Sequence, residues 1–157
     1  MRINQLLRDN RIAVLALQET HLDERRAAAV MAVFGEFITV VTSACDVNGT
    51  GARGVAFVIN KRLLKNAEFT VTDLYPGRAV LIDLKWTEGR RLRLLNVYGP
   101  NDMTESANFW KTLGNMRVLR SRGADVVLGD ANGSQGSTGD DPALLGGGRL
   151  GECSARS

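Results

Sequence analysis

Apolar and polar positions recur along this chain with a changing period, and the period predicts the elements. Ile3, Leu6 and Leu7 fall at helical spacing, so residues 2–10 read as a short amphipathic helix. Residues 12–17 form a continuous apolar run of strand length, the pattern of a strand buried on both faces. Asp23 is placed to cap a helix running to Phe34, with Val30, Met31 and Phe34 on one side. Five β-branched or aromatic-rich segments follow, at 37–42, 54–59, 68–72, 79–84 and 92–98. Turn signals separate them: Asn48-Gly49, Gly51, Pro76-Gly77 and Glu88-Gly89. Phe109, Leu113 and Met116 make one stripe of a helix predicted over 104–121, and 124–128 is a last buried strand. The order is helix, strand, helix, a run of strands, helix, strand. That is an α/β (α+β) layered protein with a substantial meander and no internal repeat.

The pattern stops near Asn132. Residues 133–157 hold seven of the 17 glycines and no aromatic residue, Val or Ile, so they read as a Gly/Ser-rich, disordered tail. The expected organisation is therefore one folded part over 1–132 and a tail over 133–157. The longest apolar run, 27–34, is far below the roughly 20 residues of a membrane span. No membrane partner is expected. Cys45 and Cys153 fit neither a disulfide framework nor a zinc site, and the opening residues lack a secretory pattern. An intracellular setting, nucleus or cytoplasm, is the expectation.

Charge adds little by itself. The net charge is +3, and 16 of the 20 cations are Arg. Arg suits bidentate contact with phosphate, but so small an excess does not name a nucleic-acid partner. Arg90, Arg91 and Arg93 read equally as a phosphate-binding group or as a solvated hairpin.

The chemistry sits in three polar clusters, each directly after a buried strand. They are Gln18-Glu19-Thr20-His21, Tyr98-Gly99-Pro100-Asn101-Asp102 and Gly129-Asp130-Ala131-Asn132. If the three strands lie in one sheet with their ends together, Glu19, Asn101, Asp130 and Asn132 converge on a cleft. Oxygen-only donors of this kind suit a hard cation, Mg²⁺ or Mn²⁺, that keeps several waters and meets a substrate phosphate. Each cluster also makes ordinary turn or cap chemistry.

Taken in order, these segments and Gly54-Val55-Ala56-Phe57 resemble the endonuclease/exonuclease/phosphatase superfamily, the deoxyribonuclease I-like fold. Gln-Glu-Thr-His and Asn96-Val97-Tyr98-Gly99-Pro100-Asn101 are most similar to the endonuclease domain of non-LTR retrotransposon polyproteins. The resemblance covers about residues 1–132. It implies a partial four-layer αββα sandwich and a Mg²⁺- or Mn²⁺-dependent phosphodiesterase acting on nucleic acid, with DNA favoured. By position, Glu19 would be the metal ligand and Asp130 would orient or deprotonate the attacking water. Asn132 and Tyr98 would hydrogen-bond the phosphate, and Asn101 would help fix the site.

The pattern also departs from the family. Its first-strand Asn and its closing Ser-Asp-His have no counterpart in these 157 residues, and Ala131 replaces a bulky apolar residue. The expectation is a chain inactive alone, whose half-sandwich leaves one sheet face uncovered. A catalytically dead retroelement remnant and a non-enzymatic α/β binding module stay open as alternatives. Oligomeric state is not legible.

Overall fold

A computed structural model describes residues 3–43, 54–87 and 89–132 of the chain. The expected 133–157 tail, both cysteines, the Asn48-Gly49 and Gly51 turns and Glu88 lie outside the described residues.

The elements follow the apolar periods closely. Helix α1 (Ile3–Asp9) leads into strand β1 (Val14–Gln18), then helix α2 (Glu24–Phe34) and strand β2 (Ile38–Ser43). Strands β3 (Val55–Asn60), β4 (Phe69–Tyr75), β5 (Ala79–Thr87) and β6 (Arg90–Tyr98) follow. Helices α3 (Met103–Asn115) and α4 (Arg117–Ser121) then lead to strand β7 (Val126–Asp130). Asp23 caps α2 as expected, its carboxylate accepting from the Arg26 N–H at 2.7 Å. Asp102 caps α3 in the same way, through the Glu105 N–H at 2.9 Å.

The single helix expected over 104–121 is two. Gly114 and Asn115 are weak helix formers, and Met116 adopts an extended backbone at φ −67°, ψ 126°. The break redirects the chain so that Val118 and Leu119 pack on the same core as Phe109 and Leu113.

Two sheets form the centre. One has the order β1-β3-β2, all antiparallel, and the other has β4-β5-β6-β7, with β7 parallel to β6. Their inner faces meet in one apolar cluster: Val55, Phe57 and Ile59 from β3 against Val80 and Ile82 from β5 and Leu94 from β6. Alternate residues point outward and bury a helix layer on each side. Val58 and Ile38 pack with Leu7 of α1 and Val30 of α2. Leu81, Leu95 and Val97 pack with Phe109 and Leu113 of α3. The result is a four-layer αββα arrangement, so both sheet faces carry helices, contrary to the expectation of one uncovered face.

What stays open is an edge. β1 and β7 are the last strands of their sheets and lie on the same side of the sandwich. This explains a second difference. The apolar run of β1 is half-buried throughout, whereas β3, paired on both sides, is buried at every residue. A cavity of about 860 Å³ lies over the outer face of the first sheet, lined by Ile3, Val30, Phe34 and Val40 among others. Met31 and Phe34 remain 38% and 36% exposed, so the expected apolar side of α2 is only partly buried. Among the described residues no helix is long and apolar enough to cross a membrane.

Candidate functional site

The three polar clusters do converge, though not by sharing one sheet. β1 belongs to one sheet, and β6 and β7 to the other. Their ends meet because the sheets face each other. Within the second sheet the parallel register sets Tyr98 beside Asp130. Across the gap, the Tyr98 hydroxyl donates a hydrogen bond to Glu19 Oε1.

Asn132 and Asp130 complete the cluster. The Asn132 side-chain amide donates to the Gly99 carbonyl at 2.9 Å, and its backbone N–H donates to Asp130 Oδ1 at 2.9 Å. The Gly99 N–H donates in turn to the Asp130 carbonyl at 2.7 Å. Glu19, Tyr98, Asp130 and Asn132 thus form one connected group at the rim of the sandwich. Asn101 does not join it. It is exposed in the bend before α3, and among the described residues no hydrogen bond links it to the other four. Its expected role in fixing the site has no contact behind it. His21 is exposed, and its carbonyl accepts from Arg26 Nη1 at 2.9 Å.

Local backbone explains the glycines. Gly129 sits at φ +127°, and a Cβ there would run into the Val97 carbonyl. A Cβ on Gly99 would collide with the Ala131 carbonyl. Both motifs therefore need Gly for β6 and β7 to deliver their polar residues side by side. Glu19 (φ 49°), His21 (φ 47°) and Asn132 (φ 45°) hold left-handed backbone without being Gly. Such conformations cost on the order of 1–3 kcal/mol each and persist where surrounding contacts enforce them.

The electrostatics centre on Tyr98. The bond donated to Glu19, burial, and the charge of that carboxylate all hold the phenol above its ordinary value of 10.0. Arg78 and Asn132 pull the other way. Tyr98 is therefore a neutral hydrogen-bond donor across the physiological range.

Some contributors were invisible in the sequence. Arg78 is 6% exposed beneath the site; its guanidinium donates to the Tyr98 carbonyl at 3.2 Å and lies 5.8 Å from the Tyr98 ring. Gln18 and Asn96 hydrogen-bond across the sheets at 2.6 Å. For Asn96 the one available signal was a polar residue inside an otherwise apolar strand. Arg90, Arg91 and Arg93 do not act as a group. Arg93 is buried, donating to the Val118 and Gly123 carbonyls, while Arg91 pairs with Asp83 at 2.7 Å. The solvated-hairpin and phosphate-group readings both fail for Arg93.

A divalent cation would find oxygen donors here but no cage. Among the described residues no three His, Cys, Asp or Glu side chains cluster. Mg²⁺ keeps several waters and needs one or two carboxylates, so the exposed Glu19 carboxylate fits it as a partial site.

No protein-family model matches the chain, and no curated protein matches it. Solved structures do. D. rerio TDP2 humanized by 14 mutations superposes with a TM-score of 0.55 at 15% identity, over 85% of this chain and 54% of that one. D. rerio TDP2 complexed with single strand DNA product gives 0.56 at 14% identity, over 84% and 52%. Truncated Caenorhabditis elegans TDP2 gives 0.54 at 16% identity, over 87% and 56%. At such identities the likeness establishes the fold. This chain spans about half the length of those structures.

Proposed function

We propose that this chain, which has the deoxyribonuclease I-like fold of the endonuclease/exonuclease/phosphatase superfamily, carries part of a divalent-metal-assisted phosphodiesterase site for nucleic acid. The observation that carries the reading is the convergence of Glu19, Tyr98, Asp130 and Asn132 from three strand ends in two sheets. The single strand DNA product held by one TDP2 structure supports nucleic acid, with DNA favoured, as the substrate class. The Gln-Glu-Thr-His and Asn-Val-Tyr-Gly-Pro-Asn motifs support a retrotransposon-type endonuclease origin, and two cysteines that fit no disulfide framework support a nuclear or cytoplasmic setting.

Each residue has a role its geometry permits. Glu19 offers hard carboxylate oxygens for Mg²⁺ or Mn²⁺, and such an ion, when bound, supplies positive charge to a phosphoryl oxygen. Tyr98 keeps its proton and can donate it in a hydrogen bond to a phosphate oxygen. Asp130 holds the Asn132 N–H with Oδ1, and no described residue occupies Oδ2, which can accept from an attacking water. Asn132 is held by Gly99 close to Tyr98, where its amide can meet the phosphate or its leaving side.

We further propose that the chain is silent alone. The open β1 and β7 edges on one side, and the half-length match, support a site completed by further strands. Losing one preorganised donor costs roughly 10²–10³ in rate, and groups acting as a unit fail together. In the test, the purified chain is incubated with plasmid DNA and Mg²⁺, and its Mn²⁺-dependent binding to single-stranded DNA is measured. The expected result is no cleavage, and binding that is lost in Glu19→Ala. Cleavage that disappears in Glu19→Ala or Asp130→Ala would overturn the silent state. Binding indifferent to Mn²⁺ and to Glu19→Ala would overturn the metal site and favour a non-enzymatic binding module.

A further inference from the structure

The Glu19–Tyr98 contact crosses from one sheet to the other, and no backbone ladder spans that gap. Apolar faces attract without direction, so Val55, Phe57 and Leu94 alone would tolerate small sliding of one sheet over the other. Ser43 of β2 supplies directional bonds to Asp73 and Gly77 at the opposite edge, and beside Glu19 and Tyr98 something directional is needed as well. Asn96 is placed to supply it. The residue is fully buried, in the middle of the inter-sheet core, two positions before Tyr98 and on the same face of β6.

Every amide hydrogen and the carbonyl of that side chain has a partner on the opposite sheet. Asn96 Nδ2 donates to the Leu17 carbonyl at 3.0 Å and to the Ala56 carbonyl at 2.9 Å. Asn96 Oδ1 accepts from Gln18 Nε2 at 2.6 Å. One side chain therefore ties β6 to β3 and to the last two residues of β1, immediately before Glu19. An apolar residue of similar size would suit the surrounding cluster without the desolvation cost of a buried amide. What the amide adds is register, as satisfied buried polar networks do.

We propose that Asn96, acting with Gln18, is a positioning residue that sets the register between the two sheets and so holds Glu19 against Tyr98. The geometric claim stands independently, while its consequence for metal affinity rests on the function proposed above. The two claims fail differently, because the Glu19–Tyr98 contact is observable without any metal.

The test uses the full chain. Asn96→Leu removes all three cross-sheet bonds while keeping a side chain of similar size in the apolar cluster, and Gln18→Met removes only the amide pair. Asn60→Ala is the control: Asn60 is also buried, and its amide ties β3 to the Ile12 carbonyl at 3.0 Å, away from the site. Thermal melts, the through-space NMR signal between the Tyr98 ring and the Glu19 side chain, and Mn²⁺ affinity are compared. Asn96→Leu is expected to melt cooperatively, to lose the Tyr98–Glu19 signal and to bind Mn²⁺ roughly tenfold more weakly, with Gln18→Met between it and the wild type. Asn60→Ala is expected to melt earlier with that signal intact. A persistent signal in folded Asn96→Leu, or equal loss in Asn96→Leu and Asn60→Ala, would overturn the positioning role. An absence of Mn²⁺ binding in the wild type would overturn only the function proposed above. A further readout needs no variant. On warming the wild type, the Gln18–Asn96 amide signals and the Tyr98–Glu19 signal should vanish together, and a Tyr98–Glu19 contact that outlives the amide pair would refute the inference.

Discussion

Tyr98 shows how a single side chain reports the state of the site. Its hydroxyl is held above its ordinary pKa by the bond to Glu19, then by burial and by the Glu19 charge. An acid whose folded pKa exceeds its unfolded value stabilises the fold below the unfolded pKa, and this is lost as pH rises through the folded one. Stability should therefore fall with rising pH above the ordinary value of 10.0. Tyr98→Phe is expected to lose about 1 kcal/mol at neutral pH, the net worth of one hydrogen bond with an exposed partner. It should also flatten that alkaline decline, measured by denaturant unfolding at several pH values; an unchanged slope would contradict the assignment. Gly99 supports the same site through space rather than charge. Gly99→Ala pushes a methyl group into the Ala131 carbonyl and should lower stability by roughly 1–3 kcal/mol. The same melts check it, and an unaltered midpoint would contradict the close approach.

Arg93 fastens three elements that sequence reading had left unconnected. From β6 its guanidinium reaches the Val118 carbonyl in α4 and the Gly123 carbonyl before β7, and lies 3.7 Å from Asp83 on β5. Removing a buried, paired cation strands its partners, so Arg93→Ala should cost about 3 kcal/mol in chemical denaturation. Exposed Arg90→Ala should fall within about 0.5 kcal/mol of wild type. Equal effects would return the two to a common surface role. Elements were legible where one physical signal dominated. Apolar period found every strand, and Asp23 marked the start of α2 through cap chemistry. The α3–α4 break was hidden because Phe109, Leu113 and Met116 keep helical spacing across it. Half-burial of β1 was hidden as well, since an edge position is a property of topology and leaves the apolar run unchanged. At the site, motif order found Glu19, Tyr98, Asp130 and Asn132. Nothing local separated Asn101 from them or revealed that Arg78 lies beneath them, and Asn96 showed only as a polar residue inside an apolar strand.

At the scale of the whole molecule, two packed sheets with helices outside both form an αββα layering among the described residues, with β1 and β7 as edge strands on one side. Residues 1–132 carry 18 positive and 14 negative charges, so the +3 of the chain originates in the part that bears the site. The layering places that site at the open side, where strands could still be added and where a cation and a phosphodiester could enter. The central claim is that Glu19 makes this rim a divalent-cation site. Its most direct test is calorimetric titration of Mn²⁺ into the wild-type chain and into Glu19→Gln, with melting curves confirming that both are folded. The account predicts one weak site in the wild type and an affinity lower by at least about tenfold in the variant. No binding to the folded wild-type chain, or equal affinity in Glu19→Gln, would contradict it.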